Sequence, residues 1–101
     1  MAGRLLDVST IDLLIDGDVK PLQIRIIALI IRESHGRNTD QLNWTHNPMT
    51  ITEIAKRTGI HRSSAYRAVH GMIERNILHV DKRENGIHYL FNNDDITWRT
   101  K

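Results

Sequence analysis

The sequence predicts a mainly α-helical fold with one small β-hairpin. Four stretches carry apolar residues at helical spacing, bounded by residues that typically begin or end helices. Two short segments rich in β-forming residues then flank the turn sequence RENG near the C-terminus. The order is helix, helix, helix, tight turn, helix and hairpin, which is the layout of a winged helix-turn-helix domain.

Length and composition limit the possible classes of protein. The 101 residues allow one small domain over residues 1–101, with an N-terminal arm or short helix at 1–18 and a tail at 92–101. The chain has no cysteine, which excludes a disulfide framework, thiolate zinc sites and thiol catalysis, and favours a cytoplasmic location. The longest apolar run, residues 26–31, is far shorter than the roughly 20 residues of a membrane span. No membrane partner is expected.

The first two helices are predicted from turn signals and apolar spacing. A short helix over Val8 to Leu14 is ended by the residues of 16–18, and Pro21 suits the first turn of the next helix. Apolar residues cover most of the circumference of this second helix, which is therefore expected to be the buried central one and to end near residues 34–36. A polar loop follows over residues 36–48.

The remaining elements have stronger local signals. Thr50 and Glu53 match a capping box at the start of a helix that stops at Thr58-Gly59. The next helix, over about 61–75, has an apolar stripe formed by Ala65, Ala68, Val69, Met72 and Ile73. Residues 77–81 and 87–91 are expected to be strands joined by a two-residue turn at Asn85-Gly86.

Residues 51–70 have the side chains that a helix-turn-helix unit requires. Ala55 allows the two helices to approach closely, and Gly59 permits a positive φ in the turn. Charge is also uneven, with a balance of −3 over residues 1–18 and +5 over residues 54–83. A basic segment of this kind favours a polyanion partner, although a solvated surface would contain the same residues. Double-stranded DNA is the predicted partner.

The predicted DNA contacts lie on the two helices and on the hairpin, or wing. In such a domain the N-terminal turn of the second helix enters the major groove, where Arg62 is able to pair with guanine O6 and N7. The predicted DNA-binding residues are His61, Arg62, Ser63, Ser64, Tyr66 and Arg67, with Lys56 and Arg57 on the preceding helix and Lys82, Arg83, Asn85 and His88 in the wing. In the alternative interpretation, Ser63 only completes the helix cap and Tyr66 covers the edge of the core.

Other chemistry has little support in the sequence. Four of the six histidines, from His61 to His88, recur every nine residues, but that spacing crosses helix, turn and strand and does not gather a metal site. No cofactor, metal or catalytic residue is expected, because the carboxylates are scattered and no phosphate-binding loop is present. His61 stands at a predicted N-cap, where Ser, Thr, Asp or Asn is preferred, so its imidazole is expected to contact the partner instead.

Three segments resemble a known family. RIIALIIRESHGRN, MTITEIAKRTGIHRSSAYRAVHGMIERNIL and the ending YLFNNDDITW are similar to the N-terminal domain of bacteriophage replication protein O and related phage replisome organisers. The similarity spans about residues 20–99. It implies a winged helix that binds origin DNA, often as a dimer, inside the host cytoplasm. The family usually has an aromatic residue where His35 stands and a Ser-like cap where His61 stands.

Several functions are therefore predicted in order of preference. The first is sequence-specific binding of double-stranded DNA at a replication origin; a small transcriptional regulator and a protein-docking module of a primosome are the alternatives. In the phage proteins a separate C-terminal region recruits the helicase machinery, so host or phage replication proteins are expected partners only if this chain is cut from a longer protein. A homodimer through the N-terminal helix or the tail around Trp98 is a further candidate assembly.

Overall fold

The structure, a computed structural model, describes residues 12, 14, 15, 18–34 and 44–99. Its elements are α1 (Pro21–Ser34), α2 (Ile51–Thr58), α3 (Arg62–Glu74), β1 (Leu78–Arg83), β2 (Gly86–Phe91) and a 3-10 turn, Asp95–Thr97. Within residues 18–34 and 44–99, three helices and an antiparallel hairpin confirm the predicted winged helix-turn-helix fold. Most of the predicted helix Val8 to Leu14 and of the predicted loop 36–48 lies outside the described residues, and so does His35.

The central helix is α1, as its apolar circumference predicts. Ile26, Ile27 and Ile30 are completely buried, and α1 packs against α2, α3 and β2. Burying an isoleucine side chain stabilises a fold by about 1.5–3 kcal/mol relative to leaving it exposed. Five of the 17 buried hydrophobic residues of the described chain lie on this helix, around which the other elements are arranged.

Local signals place both ends of α2. The hydroxyl of Thr50 accepts a hydrogen bond from the backbone N–H of Glu53 at 3.1 Å, and Glu53 Oε1 accepts from the backbone N–H of Thr50 at 3.0 Å. This is the predicted capping box. At the other end Gly59 adopts a φ of 72°, which a residue without a Cβ adopts readily. The turn into α3 is therefore sharp and defined.

The predicted apolar stripe fixes α3 against the rest of the core. Ala65, Ala68, Val69 and Met72 are buried, and the small alanines suit the close packing of α3 against α2. The helix ends at Glu74 and is capped by Arg75. Asn76 then has a left-handed φ of 64°, and the N–H of Ile77 donates to the carbonyl of Met72 at 2.8 Å. This is the Schellman arrangement with asparagine in place of glycine.

The turn of the hairpin lies one residue earlier than predicted. Arg83 pairs with Gly86, so the two turn residues are Glu84 and Asn85 and not Asn85 and Gly86. The positive φ falls on Gly86, at 131°, and a Cβ on this residue would lie 2.6 Å from the Cβ of Pro48. The contact with Pro48, which is distant in sequence, therefore determines where glycine is needed. β1 also extends two residues beyond the predicted end.

Part of the predicted loop lies alongside β2 in an extended path. The N–H of Thr45 donates to the carbonyl of Tyr89 at 2.9 Å, and the N–H of Tyr89 donates to the hydroxyl of Thr45 at 3.1 Å. Further along, the N–H of Met49 donates to the carbonyl of Ile87 at 3.1 Å. Residues 44–49 thus hold the hairpin against the helices.

The predicted C-terminal tail folds back onto the end of α3. The indole N–H of Trp98 donates to the carbonyl of Asn92 at 2.8 Å, and its ring meets the edge of Phe91 with centroids 6.2 Å apart. The N–H of Arg99 donates to the carbonyl of Arg75 at 2.7 Å. Trp98 is therefore a half-buried part of the core, which leaves little of its ring for the dimer contact considered above.

Burial raises the pKa of the Tyr89 phenol above its ordinary value near 10. The unfolded chain releases this proton at the ordinary pKa, whereas the folded chain retains it to higher pH. We therefore expect the free energy of unfolding to fall as pH rises above about 10. Urea unfolding at pH 9 and pH 11 tests this, because Tyr89→Phe should lose less stability over that interval. An equal loss in both proteins would contradict the prediction.

Candidate nucleic-acid interface

The outward face of α3 is polar and lies opposite the apolar stripe. Ser63, Tyr66, Arg67 and His70 are exposed on this face, while the stripe faces the other helices. In a helix-turn-helix the second helix contributes this face to the major groove. The structure therefore brings three of the predicted contacts onto one surface together with His70. We call this surface the α3 face: Ser63, Tyr66, Arg67 and His70.

Arg62 stands at the start of α3 and is linked to α2. Its Nε donates a hydrogen bond to the hydroxyl of Thr52 at 2.9 Å, across the turn between the two helices. Arg62 remains exposed and lines a groove together with Thr50 at the start of α2 and Asn85 in the turn of the wing. The guanidinium is thus held between the helix-turn-helix unit and the wing.

His61 caps α3, contrary to the expectation that it is a poor cap. Its Nδ1 accepts a hydrogen bond from the backbone N–H of Ser63 at 3.2 Å and lies 2.9 Å from the Ser63 hydroxyl. The imidazole nitrogen thus replaces the usual side-chain oxygen, because the ring reaches the N–H that such an oxygen satisfies. His61 and Ser63 are both exposed, so the cap also lies on the solvent side.

Tyr66 and His70 form an aromatic pair on the α3 face. Their ring centroids are 4.2 Å apart with the planes inclined by 45°. Tyr66 is 51% exposed, so about half of its side chain is open to a partner. Residues four apart on a helix lie side by side, and ring contact limits the side-chain rotamers of both. The pair therefore presents an ordered aromatic surface.

Ser64 and Arg67 lie beside the start of α1. Ser64 is half-buried, and both residues line a groove with Lys20 and Gln23. Lys20 and Arg67 are exposed, so two positive charges flank this side of α3. The predicted contact surface thus extends toward α1, which sequence spacing alone did not indicate.

The two basic residues of α2 have different surroundings. Lys56 is exposed, as a contact to the DNA backbone requires. Arg57 forms an ion pair with Glu33 of α1, in which Nη2 lies 2.6 Å from Oε2, and it also contacts the sulfur of Met49. Arg57 therefore ties α2 to α1, and its charge is largely compensated.

In the wing, Lys82 and Asn85 are exposed, whereas Arg83 is engaged within the protein. Arg83 Nε lies 2.7 Å from Asp81 Oδ2, and the guanidinium carbon lies 5.9 Å from the centroid of the Trp44 ring. An exposed ion pair of this type is worth at most about 1 kcal/mol, so Arg83 is able to exchange it for a phosphate contact.

His88 does not belong to the predicted interface. Its side chain is 1% exposed, with Nδ1 2.7 Å from the carbonyl oxygen of Thr45 and Nε2 3.1 Å from Oδ1 of Asn85. Both nitrogens are used within the protein, so His88 links the wing turn to residues 44–49 and its side chain does not reach DNA. The reason is that residues 44–49 cover the side of β2 that strand alternation leaves exposed.

Three residues near this surface were not predicted from the sequence. His70 follows Tyr66 by four positions, so helical spacing would have placed both on the same face. Thr52 and Trp44 had no such signal, because their partners Arg62 and Arg83 are distant in sequence. The interface thus depends on contacts that only the folded chain makes.

Within the described residues, no group of three or more His, Cys, Asp or Glu side chains is placed to hold a metal ion. No described helix is long and apolar enough to cross a membrane. The described surface around α3 and the wing has exposed polar and basic side chains such as Ser63, Arg67 and Lys82, which suit a nucleic-acid partner.

A comparison with protein families identifies the central part of the chain. Residues 40–82 match the model of the IclR helix-turn-helix domain, which covers α2, the turn, α3 and nearly all of β1. This segment is therefore similar to an IclR-type helix-turn-helix DNA-binding domain. No curated protein and no solved structure gives a significant match. The family that matches is not that of the phage replication proteins.

Proposed function

We propose that this protein is a sequence-specific transcriptional regulator that binds double-stranded DNA. The observation that carries the proposal is the IclR-type helix-turn-helix match over residues 40–82, together with an exposed polar α3 face on the matched segment. In this arrangement α3 enters the major groove and the wing contacts the neighbouring backbone or minor groove. The protein acts in the compartment that holds the DNA.

Individual contacts follow from exposure and surroundings. Ser63, Tyr66 and Arg67 face outward on α3 and are proposed to lie in the groove, whereas Lys56 and Lys82 are proposed to contact phosphates on either side. Phosphate contacts supply affinity and orientation, and base contacts supply sequence preference. The ion pair with Glu33 assigns Arg57 mainly to holding the two helices together.

Binding of a replication origin is a second candidate function. It rests on the resemblance of the IIRESHG and NNDDITW segments to the phage proteins, and the second segment forms the ordered tail that packs on Phe91. Origin binding and promoter binding use the same α3 face. The two functions are therefore distinguished by where the binding sites lie in the genome of the source organism, at promoters or at a replication origin.

The experiment is selection of bound fragments from the genomic DNA of the source, followed by footprinting of the recovered sites. We expect protection of promoter regions and binding that weakens steeply with salt, since phosphate contacts release counterions. Protection of repeated sites at a replication origin would favour the second function. Weak binding that is insensitive to salt would overturn both and favour a protein-docking module.

The same experiment tests the proposed homodimer. Two copies related by two-fold symmetry would protect inverted half-sites about one helical turn apart, or a multiple of that distance. A single protected half-site would instead indicate that a monomer binds. Footprints on both strands distinguish the two patterns.

A further inference from the structure

Arg62 lies on a different side of α3 from Ser63, Arg67 and His70. Successive residues turn by about 100° around a helix, which places Ser63, Arg67 and His70 within a sector of roughly 60°. Arg62 lies about 80–140° away from these three on the same helical geometry. Its bond to Thr52 shows that this direction leads toward α2. Arg62 is therefore at the flank of the α3 face, the other three residues are at its centre, and Tyr66 lies between them, about 40° from Arg62.

Thr52 holds Arg62 in this flanking position. The bond from Nε to the Thr52 hydroxyl is 2.9 Å long and joins two exposed residues that are ten positions apart. It occupies one donor of the guanidinium and leaves the two terminal nitrogens as a fork. The fork stands in the groove between the start of α2 and the wing turn at Asn85 and Gly86.

Resting on the DNA-binding function proposed above, we infer that Arg62, held by Thr52, contacts a DNA phosphate and not a base. The strand that separates two adjacent grooves must pass between α3 and the wing when each lies in its own groove. Arg62, at the start of α3, lines the groove between the start of α2 and the wing turn. Glu53 also lines this groove, but its carboxylate accepts a hydrogen bond from the backbone N–H of Thr50. A planar guanidinium fork also matches two phosphate oxygens. The proposed partner of Arg62 is thus a phosphate of the DNA backbone and not the guanine that the sequence predicts.

Base readout then falls on the centre of the α3 face. Arg67 offers a complete guanidinium there, and His70, ordered by its contact with Tyr66, adds a donor and an acceptor. Their exposure on the matched helix places them where the floor of a major groove lies. Thr52 is accordingly a positioning residue, whereas Arg67 and His70 determine which sequence is preferred.

The test uses the full chain and two duplexes of equal length: one selected by the wild-type protein from a random pool, and a scrambled version. We expect Arg62→Ala to weaken binding to both duplexes by a similar factor, about three- to tenfold. We also expect the slope of log affinity against log salt to decrease by about one, while preferences at each base position stay unchanged. Arg67→Ala is the matched control and should relax the preference at one position.

Thr52 is tested by a double-mutant cycle. Thr52→Val should weaken binding to both duplexes about two- to threefold, and Thr52→Ser should restore it, because serine keeps the accepting hydroxyl. In the Arg62→Ala background Thr52→Val should have no further effect. A purely structural role of Thr52 would instead give the same loss in both backgrounds.

Two results would overturn the inference. One is an Arg62→Ala protein that loses preference at a single base position yet binds the scrambled duplex like wild type. The other is a Thr52→Val protein that matches wild type on both duplexes at all salt concentrations. If the wild-type chain shows no sequence preference but the variants still weaken binding as expected, the phosphate contact stands and the proposed regulatory function fails.

Discussion

Replacing Arg67 with glutamate is expected to weaken binding to the selected duplex by roughly 100-fold or more, or about 3 kcal/mol. Arg67 is exposed at the centre of the α3 face, close to Lys20 at the start of α1. The substitution removes a donor pair that is able to contact a base, and it brings a negative charge toward the phosphates. Fluorescence anisotropy with a labelled duplex measures the change.

The matched control for this substitution is Arg32→Glu. Arg32 is an exposed residue of α1 whose Nε lies 3.7 Å from the carboxylate of the neighbouring Glu33. Both substitutions change the net charge by the same amount, so a general electrostatic effect would weaken binding in both. A comparable loss in the two variants would contradict the specific role of the α3 face.

Replacing Gly86 with alanine is expected to destabilise the fold by about 2–4 kcal/mol. The new Cβ would lie 2.6 Å from the Cβ of Pro48, and the residue would have to adopt a φ of 131°. Relief requires either the hairpin turn or residues 44–49 to move, which would strain the hydrogen bonds between them. Thermal unfolding followed by circular dichroism measures the loss of stability.

Gly59→Ala distinguishes the cost of the positive φ from the cost of the steric contact with Pro48. Gly59 also has a positive φ, of 72°, but a Cβ there would meet no atom within 4 Å. Its replacement should therefore cost only the backbone strain, about 1–2 kcal/mol. If Gly86→Ala were no more destabilising than Gly59→Ala, the close packing of Pro48 against the hairpin would be wrong.

The parts of the fold that depend on near neighbours could be predicted from the sequence. The capping box of Thr50 and Glu53, the left-handed Gly59 and the stripe on α3 each involve residues within one or two helical turns. These features form from neighbouring residues and do not depend on how the helices pack against one another. The match of residues 40–82 to a helix-turn-helix family agrees with that local pattern.

The errors came from contacts between distant segments. Strand alternation places His88 outward, between Ile87 and Tyr89, but residues 44–49 cover that side and bury it. The hairpin turn was misplaced because Pro48 fixes the position of the glycine. His61 was misjudged for a different reason: an imidazole nitrogen is able to accept the cap hydrogen bond that is usually assigned to an oxygen.

In the candidate site, too, features that depend on near neighbours could be predicted and features that depend on distant residues could not. The α3 face could be predicted, because its residues share one helix and helical spacing determines their direction. The position of Arg62 could not, because it depends on Thr52 across the turn, and the sequence pattern of α2 does not indicate that bond. Arg83 is predicted from the sequence to contact DNA, but the sequence does not indicate its contacts with Asp81 and Trp44, which hold its side chain in place.

The path of residues 44–49 beside β2 also affects how the protein behaves at high concentration. A strand with unpaired N–H and carbonyl groups is a template on which another chain can add a strand. On β2 these groups are partly occupied by Thr45 and Met49, and the outer half of β1 carries the charges of residues 81–83. Both borders of the hairpin thus resist intermolecular pairing. We therefore expect that the wings of neighbouring copies do not join into a continuous sheet at high protein concentration.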